Sequence, residues 1–390
     1  MKLHLHDFAG HPFQVELSNK LAKRGFSVHH SYFAHSREPK GLFQDTESSG
    51  NIIFHKIVLK QRYSSHSLIK RLFFELNLSL RLLWLHFHTK PDLTIVANTP
   101  LLSAFILMLF TPRHKFILWH QDVISRAFKT AYSSNSNVVN FFLNFIFEIV
   151  EKIERWIYRR SAAVVCIARE FLDVYRSWNE DIGKVKVIEN WAPLNQISYL
   201  PSQFNGNEWN LIYAGTLGMK HNPSLLLDFI RLAEVESLNC KLLVISEGDG
   251  AKFLHENRQP EDRLKIIDFV SLRLLEKHLT YSNVALVILE EDASTFSVPS
   301  KSYSYLAAGR FVIALAPSAN AACRAILEAG GKVFPPTVDG VRDAIGFLKN
   351  LSEAKLRIIE SSARDYAETN FNADVKAQKF ESIIRRYCVI

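Results

Sequence analysis

The sequence of 390 residues holds 47 Lys and Arg against 39 Asp and Glu, and 48% of its residues are hydrophobic. This composition excludes an intrinsically disordered chain, and the length exceeds what one core usually supports, so two domains are expected. The four cysteines are scattered singly, which excludes a disulfide scaffold and a cysteine-rich zinc module.

Positive charge is concentrated in the first half of the chain. Residues 1–190 hold 25 Lys and Arg against 16 Asp and Glu, whereas the other 200 hold 22 against 23. This bias predicts an anionic partner such as phospholipid headgroups, a lipid diphosphate or nucleic acid, and an ordinary basic surface is the alternative. The first seven residues do not form a signal peptide, and the longest apolar run, Leu101 to Phe110, is shorter than the roughly 20 residues of a spanning helix. A cytoplasmic protein, peripheral at the inner face of the cytoplasmic membrane, is therefore expected.

Short runs of β-branched residues alternate with helical patterns, which predicts parallel sheets built from βαβ units. The first series of predicted strands spans 2–6, 27–32, 52–58, 93–97, 116–119, 163–166 and 186–188. The second series spans 211–214, 241–246, 264–268, 284–289, 311–316 and 332–334. Between them lies a segment rich in Asn and Pro, typical of a connection. We therefore expect domains at 1–190 and 210–370, a linker at 191–209, and a C-terminal helix at 371–390 with room to pack back on the first domain.

A glycine-rich loop follows the first strand of the second series and leads into a helix that starts at Pro223 or Ser224. Small residues allow backbone amides to approach an oxyanion, the helix N-terminus adds positive potential, and Lys220 adds a full charge. This combination suits a diphosphate. A plain turn with a solvated lysine is the alternative.

A second candidate motif precedes another predicted helix, where Val298, Pro299 and Ser300 lead to Lys301. Ser300 is a predicted N-cap. Lys301 would lie in the first helical turn, where its charge opposes the helix dipole, so a bound anion would explain its position better than the helix does. A lysine reaching to solvent is the alternative. Four loops are predicted at the carboxyl ends of parallel strands, where ligands bind in open α/β sheets: 215–220, 247–250, 269–271 and 290–301.

In the basic half, His120 and Asp122 end a predicted strand. A polar side chain at the carboxyl end of a parallel strand can bind a substrate group, and either residue could do this. A hydrogen-bonded structural pair at a strand end is the alternative.

The ordered motifs resemble the donor half of glycosyltransferase family 4. They read Tyr-Ala-Gly-Thr-Leu-Gly-x-Lys, Ile-Ser-Glu-Gly-Asp-Gly, Val-Pro-Ser-Lys and Tyr-Leu-Ala-Ala-Gly-Arg. The N-terminal Asp-Phe-Ala-Gly-His-Pro-Phe-Gln, the His-Gln-Asp at 120–122 and the Ile-Glu-Asn-Trp-Ala at 188–192 are similar to the branch that builds bacterial capsule, exopolysaccharide and lipopolysaccharide, such as the colanic-acid-type and fucosamine-type transferases. The resemblance covers nearly the whole chain and implies the GT-B fold, with two Rossmann-like doubly wound α/β domains facing across a cleft.

The resemblance implies a retaining, metal-independent glycosyltransferase of the hexosyl or N-acetylhexosaminyl type. The donor would be a nucleotide-diphosphate sugar, with UDP favoured, acting as co-substrate without a further cofactor, and the acceptor a lipid-diphosphate-linked or other glycan of the cell surface. Gly10 and His11 would bind the acceptor, and Lys220 and Lys301 the donor phosphates. Because a retaining transfer needs the acceptor hydroxyl to be oriented, His120 or Asp122 could hold the acceptor, and these two residues with Lys220 and Lys301 are the catalytic candidates. The other implied donor-binding residues are Gly215, Thr216, Leu217, Glu247, Gly248, Val270, Glu291, Val298, Pro299, Ser300 and Ser304.

Three positions depart from the family pattern. Thr216 stands where many members have Arg, and Phe296 and Ser304 stand where many have two glutamates eight residues apart. The carboxylate that usually holds the ribose is therefore missing. Glu290 or Glu291 could supply a displaced acid, and Lys301 could compensate for the missing Arg.

Two aromatic and basic segments, 67–88 and 138–160, are predicted to lie on an anionic membrane, and core-packed helices with basic outer faces are the alternative. Nucleic acid is not expected as a partner, because the basic residues form no recognisable recognition helix or stacking sheet. Two other functions remain open: an epimerase-like nucleotide-sugar enzyme, and a non-catalytic subunit that binds a nucleotide sugar.

Overall fold

The computed structural model describes residues 1–36, 40–41, 43, 51–60, 68–131, 137–204, 206–218, 221–291 and 298–388. The chain divides into two compact units, which we call unit 1 (Met1–Glu189 with Ala373–Ile390) and unit 2 (Asn190–Asn372). None of the helices within these described ranges has the length and hydropathy that a membrane crossing requires.

Unit 1 is built on a parallel sheet with the strand order β3-β2-β1-β4-β5-β6-β7. Its strands are β1 Lys2–Asp7, β2 Ser27–Phe33, β3 Ile52–Ile57, β4 Leu93–Ala97, β5 Phe116–His120, β6 Ala163–Cys166 and β7 Val185–Val187. Its helices are α1 Pro12–Lys23, α2 Leu68–Thr89, α3 Leu101–Phe110, α4 Ile124–Ala131, α5 Asn137–Arg160, α6 Phe171–Ser177 and α14 Ala373–Cys388. β4, β5 and β6 are buried along their whole length, as expected for strands covered on both faces.

Unit 2 has a second parallel sheet with the order β10-β9-β8-β11-β12-β13. The strands are β8 Trp209–Ala214, β9 Cys240–Ile245, β10 Leu264–Ile267, β11 Val284–Ile288, β12 Phe311–Leu315 and β13 Lys332–Phe334. The helices are α7 Ser224–Val235, α8 Asp249–Asn257, α9 Leu272–Tyr281, α10 Lys301–Ala307, α11 Ala321–Glu328, α12 Val338–Lys349 and α13 Glu353–Asn370. Both units are thus Rossmann-like α/β domains, as the sequence predicts, and each predicted strand is present with its ends within about two residues.

Chain segments at the domain boundary pack with defined units. Trp191, in the segment expected to be a linker, is fully buried, and the amide of Ala192 donates a hydrogen bond to the carbonyl of Phe371, so this segment belongs to unit 2. The C-terminal helix α14 belongs to unit 1. There Phe380 contacts Trp119 with ring centroids 4.6 Å apart, and Glu381 accepts from Arg24 at 3.1 Å.

Candidate functional site

In unit 2 the carboxyl ends of β8, β9 and β10 bring three of the predicted loops together. These strands are neighbours in the sheet, so their loops emerge at one edge. The amide of Gly250 donates to the carbonyl of Leu217 at 3.0 Å, which joins the loops after β9 and β8. The amide of Phe269 donates to the carboxylate of Glu247 at 3.3 Å, which joins the loops after β10 and β9. The predicted donor-binding residues of all three loops therefore lie at one edge of the sheet: Gly215, Thr216, Leu217, Glu247, Gly248 and Val270. The Leu217 side chain is 0% exposed and packs in the core of unit 2.

The loop after β8 requires glycine at its first position. Gly215 has φ of +135°, a value that side chains disfavour, and a Cβ atom there would lie 2.9 Å from Cε of Lys301. Just before it, the hydroxyl of Tyr305 accepts from the amide of Ala214 at 2.7 Å, which ties the end of β8 to α10. Gly215 thus permits the side chain of Lys301, at the start of α10, to approach the loop closely.

Lys301 packs directly on this loop from the first position of α10. Its Nζ donates to the hydroxyl of Tyr213 at 2.6 Å and lies 4.2 Å from the centroid of that ring. The same hydroxyl donates to the carbonyl of Thr216 at 2.9 Å. Burial raises the pKa of Tyr213 well above its ordinary value, so the phenol keeps the proton it donates. A half-buried cation therefore lies beside the glycine loop, the chemistry that binds phosphate oxygens.

The residues before Lys301 only partly match expectation. Ser300 occupies the N-cap position, but its backbone is already helical, with φ of −63° and ψ of −20°, and its side chain makes no capping hydrogen bond. The predicted Ser300 side-chain cap is therefore wrong, because a capping side chain needs an extended backbone to reach back. Instead, Ser302 donates to the carbonyl of Pro299 at 2.8 Å. Pro299 is buried, Val298 and Ser304 are half-buried, and Ser300 and Glu291 are exposed.

Two predicted positions, Lys220 and Phe296, lie outside the described residues. Near the first of them, the buried His221 accepts through Nδ1 from the amide of Gly218 at 3.1 Å, and its own amide donates back to the carbonyl of Gly218 at 3.0 Å. His221 therefore shapes the end of the glycine loop. This role was not predicted, because a histidine next to the motif lysine does not show which backbone amide it accepts from.

In unit 1 the loop after β1 is organised by a buried carboxylate. One oxygen of Asp7, Oδ1, accepts from the amides of Ala9, Gly10 and His11 at 3.0, 2.9 and 3.1 Å, and from Nδ1 of His11 at 2.7 Å. Gly10 has φ of +74°, and a Cβ atom there would lie 2.7 Å from the Phe43 ring. The predicted acceptor residues Gly10 and His11 are therefore held in place by Asp7.

The second oxygen of Asp7 binds a buried imidazole. Oδ2 accepts from Nε2 of His30 at 3.0 Å, and Nδ1 of His30 then accepts from the Ser18 hydroxyl at 2.8 Å. Burial alone would raise the pKa of Asp7, but the hydrogen bonds from His11 and His30 outweigh it and hold that pKa well below its ordinary range. Asp7 and His30 were not predicted as site residues, because their contact joins positions 23 residues apart, which the sequence pattern does not show.

His120 is enclosed by partners within unit 1. Its Nε2 lies 3.1 Å from the carboxylate of Glu154, and its Nδ1 lies 2.7 Å from the hydroxyl of Tyr175. Glu154 also accepts from the amides of Ile124 and Ser125, at 2.7 and 3.0 Å, and so caps the start of α4. This geometry favours the structural alternative for His120. Asp122 lies half-buried between β5 and α4.

Comparisons with known proteins agree with this architecture. No protein-family model matches the chain. The chain is 24% identical over 311 residues to the probable glycosyltransferase WbjE of Pseudomonas aeruginosa, a match that covers 76% of this chain and 75% of that protein.

Solved structures match the whole fold. Sucrose-phosphate synthase from Thermosynechococcus elongatus superposes with a TM-score of 0.74 at 15% identity, covering 99% of this chain and 98% of that one. HepE from Anabaena, in complex with UDP and glucose, has a TM-score of 0.70 at 14% identity, with coverage of 99% and 100%. WaaG, a glycosyltransferase involved in lipopolysaccharide biosynthesis, has a TM-score of 0.66 at 13% identity, with coverage of 98% and 99%. The chain therefore has the two-domain Rossmann-like fold found in GT-B glycosyltransferases.

Proposed function

We propose that this protein is a glycosyltransferase that takes its sugar from a nucleotide-diphosphate donor bound by unit 2. The observation that carries the proposal is the Lys301 ammonium group packed on the loop at Gly215. The glycine loop permits close approach of a ligand and the lysine supplies a full positive charge, and both suit a diphosphate. The similarity to WbjE and to solved glycosyltransferases supports the same activity.

The proposed transfer is retaining and uses no metal ion. Negative charge develops on the diphosphate as the sugar leaves, and preorganised donors aimed at that charge lower the barrier. Among the described residues of unit 2, Lys301 beside the β8 loop would do this. The retaining assignment rests on the order of motifs, which resembles that of a retaining family.

UDP is the nucleotide we propose, because HepE, which shares the fold, was solved with UDP and glucose. WaaG acts in lipopolysaccharide biosynthesis, so we place the present protein in polysaccharide or lipopolysaccharide biosynthesis as well. The proposed acceptor is a lipid-linked glycan, bound by unit 1 beside Gly10 and His11. Residues 1–190 hold 25 Lys and Arg against 16 Asp and Glu, and this positive charge supports peripheral association with an anionic membrane.

The first experiment tests donor binding by thermal shift with UDP, GDP and dTDP, because a ligand that binds only the folded state raises the melting temperature. Lys301→Ala should weaken UDP binding by roughly 1.5–3 kcal/mol, the range for a hydrogen bond to a charged group, while Lys301→Arg should keep part of the affinity. Lys277→Ala, which removes an exposed lysine of the same unit, is the matched control and should bind UDP like the wild type.

The second experiment tests the reaction by following UDP release from UDP-sugars, with and without membrane lipid extracts as acceptor. Transfer or hydrolysis releases UDP, whereas an epimerase that inverts one carbon of the sugar leaves that sugar attached to UDP. UDP binding without UDP release from any donor would favour a non-catalytic binding subunit. Equal UDP affinity in Lys301→Ala and the wild type would remove Lys301 from the donor site.

A further inference from the structure

Helix α2 exposes a stripe of large apolar side chains. Most of them recur three or four residues apart, so they share one face of the helix. Most large apolar side chains of the protein are buried, but those of the stripe are between 39% and 70% exposed. They are Ile69, Leu72, Phe73, Leu76, Leu80, Trp84 and Phe87. We call this set the α2 stripe.

The α2 stripe is separate from the face that attaches the helix to unit 1. Phe74, Leu78, Leu82 and Leu85 lie on the opposite side and are 0% to 4% exposed. Phe74 also packs edge-on against Phe33 and Phe8, at 5.0 and 6.0 Å between ring centroids. Because the buried face already holds the helix, the stripe contributes little to the fold. An exposed apolar surface of this extent is typical of an interaction site.

The apolar surface continues onto the end of α3. Leu109 and Phe110 are 50% and 52% exposed, and the Phe110 ring meets Phe87 edge-on at 6.0 Å. Trp84 stacks on His88, with centroids 5.1 Å apart, so its ring is held at the surface rather than folded inward. Tryptophan and histidine side chains with one apolar and one polar part suit the boundary between water and lipid.

The charges on α2 select the partner. Lys70 and Arg81 are exposed along one edge of the stripe, whereas the single acidic residue of the helix, Glu75, is 5% exposed and accepts from Arg71 at 2.7 Å. The exposed charge is therefore basic. It complements lipid phosphates, whereas two copies of this face would bring like charges together.

The other membrane-facing candidate, α5, has its basic end engaged within unit 1. Arg155 donates to the carbonyl of Trp178 at 2.7 Å, and Arg159 pairs with Glu180 at 2.6 Å. These arginines hold α5 to the segment after α6. Two of the basic residues at 155–160 that were predicted to bind the membrane thus form contacts within unit 1 instead. Helix α2 is therefore the better candidate for a membrane-binding surface.

We infer that the α2 stripe is the face by which the protein docks peripherally on an anionic lipid bilayer. The rings and aliphatic chains lie at the level of the acyl boundary, and Lys70 and Arg81 lie among the headgroup phosphates, the arrangement of an interfacial amphipathic helix. The inference deepens the membrane part of the proposed function and is independent of the transfer reaction.

Liposome co-sedimentation of the full chain tests the inference. Vesicles of equal phosphatidylcholine and phosphatidylglycerol should bind the wild type, and vesicles of phosphatidylcholine alone should bind it more weakly. The triple variant Leu80→Ser, Trp84→Ser, Phe87→Ser should partition onto the vesicles about tenfold more weakly or worse. It removes apolar side chains that would be buried in the bilayer on binding. Arg81→Glu should weaken binding at low salt, and the difference should shrink as salt is added.

A matched control removes three exposed apolar side chains from unit 2, with Val235→Ser, Leu274→Ser and Ile358→Ser, and should bind vesicles like the wild type. Circular dichroism and UDP thermal shift check that each variant is folded, so a failure of docking is distinguishable from a failure of donor binding. The inference is overturned if the wild type ignores the anionic vesicles or if the α2 triple variant binds them unchanged. It is also overturned if light scattering shows a wild-type dimer that the same variant splits, since the stripe would then bind a second copy.

Discussion

The loops after β1 and β8 hold equivalent places in their sheets but are stabilised by opposite charges. β1 lies between β2 and β4, and β8 lies between β9 and β11, so each is a central strand where the order changes direction. In unit 1 the buried carboxylate of Asp7 gathers three amides and two imidazoles. In unit 2 the loop is held by the hydroxyls of Tyr213 and Tyr305 and by the side chain of Lys301.

This difference indicates what each loop can bind. The charge of Asp7 is fully used inside the protein, so it positions Gly10 and His11 without attracting a cation. The Tyr213 hydroxyl is neutral, so its hydrogen bond with Lys301 does not offset the positive charge beside the loop. A diphosphate therefore suits the β8 loop, and a neutral polar group such as a sugar hydroxyl suits the β1 loop.

Asp7→Asn should have the largest effect, because it breaks the buried network of unit 1. An amide cannot accept on both sides as the carboxylate does, so either His30 or the loop amides lose their acceptor. We expect a loss in the free energy of unfolding of about 1.5–3 kcal/mol for each hydrogen bond to the carboxylate that is lost, the range for hydrogen bonds to charged groups. Denaturant unfolding with hydrogen exchange on β1 peptides measures it.

Asp173→Asn is the control for this prediction, since that carboxylate is 76% exposed in its pair with Arg176. Its effect should be below about 0.5 kcal/mol. If the two variants were equally stable, a buried carboxylate would not be what organises the unit 1 loop, and the contrast between the loops would disappear.

The second prediction concerns pH and His6, whose Nδ1 lies 2.9 Å from the Ser31 carbonyl. Burial lowers the pKa of His6 from 6.5 to about 4, although Asp7 and the Ser31 hydrogen bond oppose this shift. The folded state therefore keeps the ring neutral, while the unfolded chain binds a proton below about pH 6.5. Stability should be full above that pH and fall by roughly 3 kcal/mol as the pH drops towards 4.

Hydrogen exchange protection of β1 peptides between pH 7 and 4.5, corrected for intrinsic exchange, measures this loss. His6→Gln should flatten the pH dependence, whereas the exposed His114→Gln should keep it. A wild-type profile that does not change over this range would show that His6 is not a neutral buried ring.

The strands and the edge that carries the site could be predicted from the sequence for clear physical reasons. Runs of β-branched residues flanked by helical patterns specify parallel strands, and parallel connections place the loops after β8, β9 and β10 at one edge. The role of Gly215 in the loop could also be predicted, because few residues other than glycine allow a neighbouring group to approach the backbone closely.

Contacts between residues far apart in the sequence could not be predicted in the same way. Lys301 and Tyr213 are 88 positions apart, and the sequence predicts the lysine without its phenol partner. Helix α2 has apolar residues on two faces, so its periodicity does not tell which face is buried. Ser300 has the right residue type for a cap, but its backbone angles follow from how α10 meets the sheet rather than from local preference.

The smallest expected effect comes from Tyr213→Phe, which keeps the ring under Lys301 and removes only the hydroxyl that accepts from Nζ and donates to Thr216. The lysine should then bind the diphosphate from a less ordered position. We expect UDP binding to weaken by about 1 kcal/mol, roughly fivefold, the usual net value of one hydrogen bond. Isothermal calorimetry with UDP measures it, and Tyr281→Phe, which alters a phenol that is 61% exposed, is the control.

A double-mutant cycle decides whether Tyr213 acts through Lys301. If the hydroxyl serves to position the ammonium group, Tyr213→Phe should change UDP affinity very little in a Lys301→Ala background, because the group that it positions is gone. Additive effects of the two substitutions would show that Tyr213 shapes the loop at Thr216 independently of the lysine. The β8 loop would then be organised mainly by its own backbone contacts, as the β1 loop is organised by Asp7, and the cation would be an addition to the loop rather than the means of holding it.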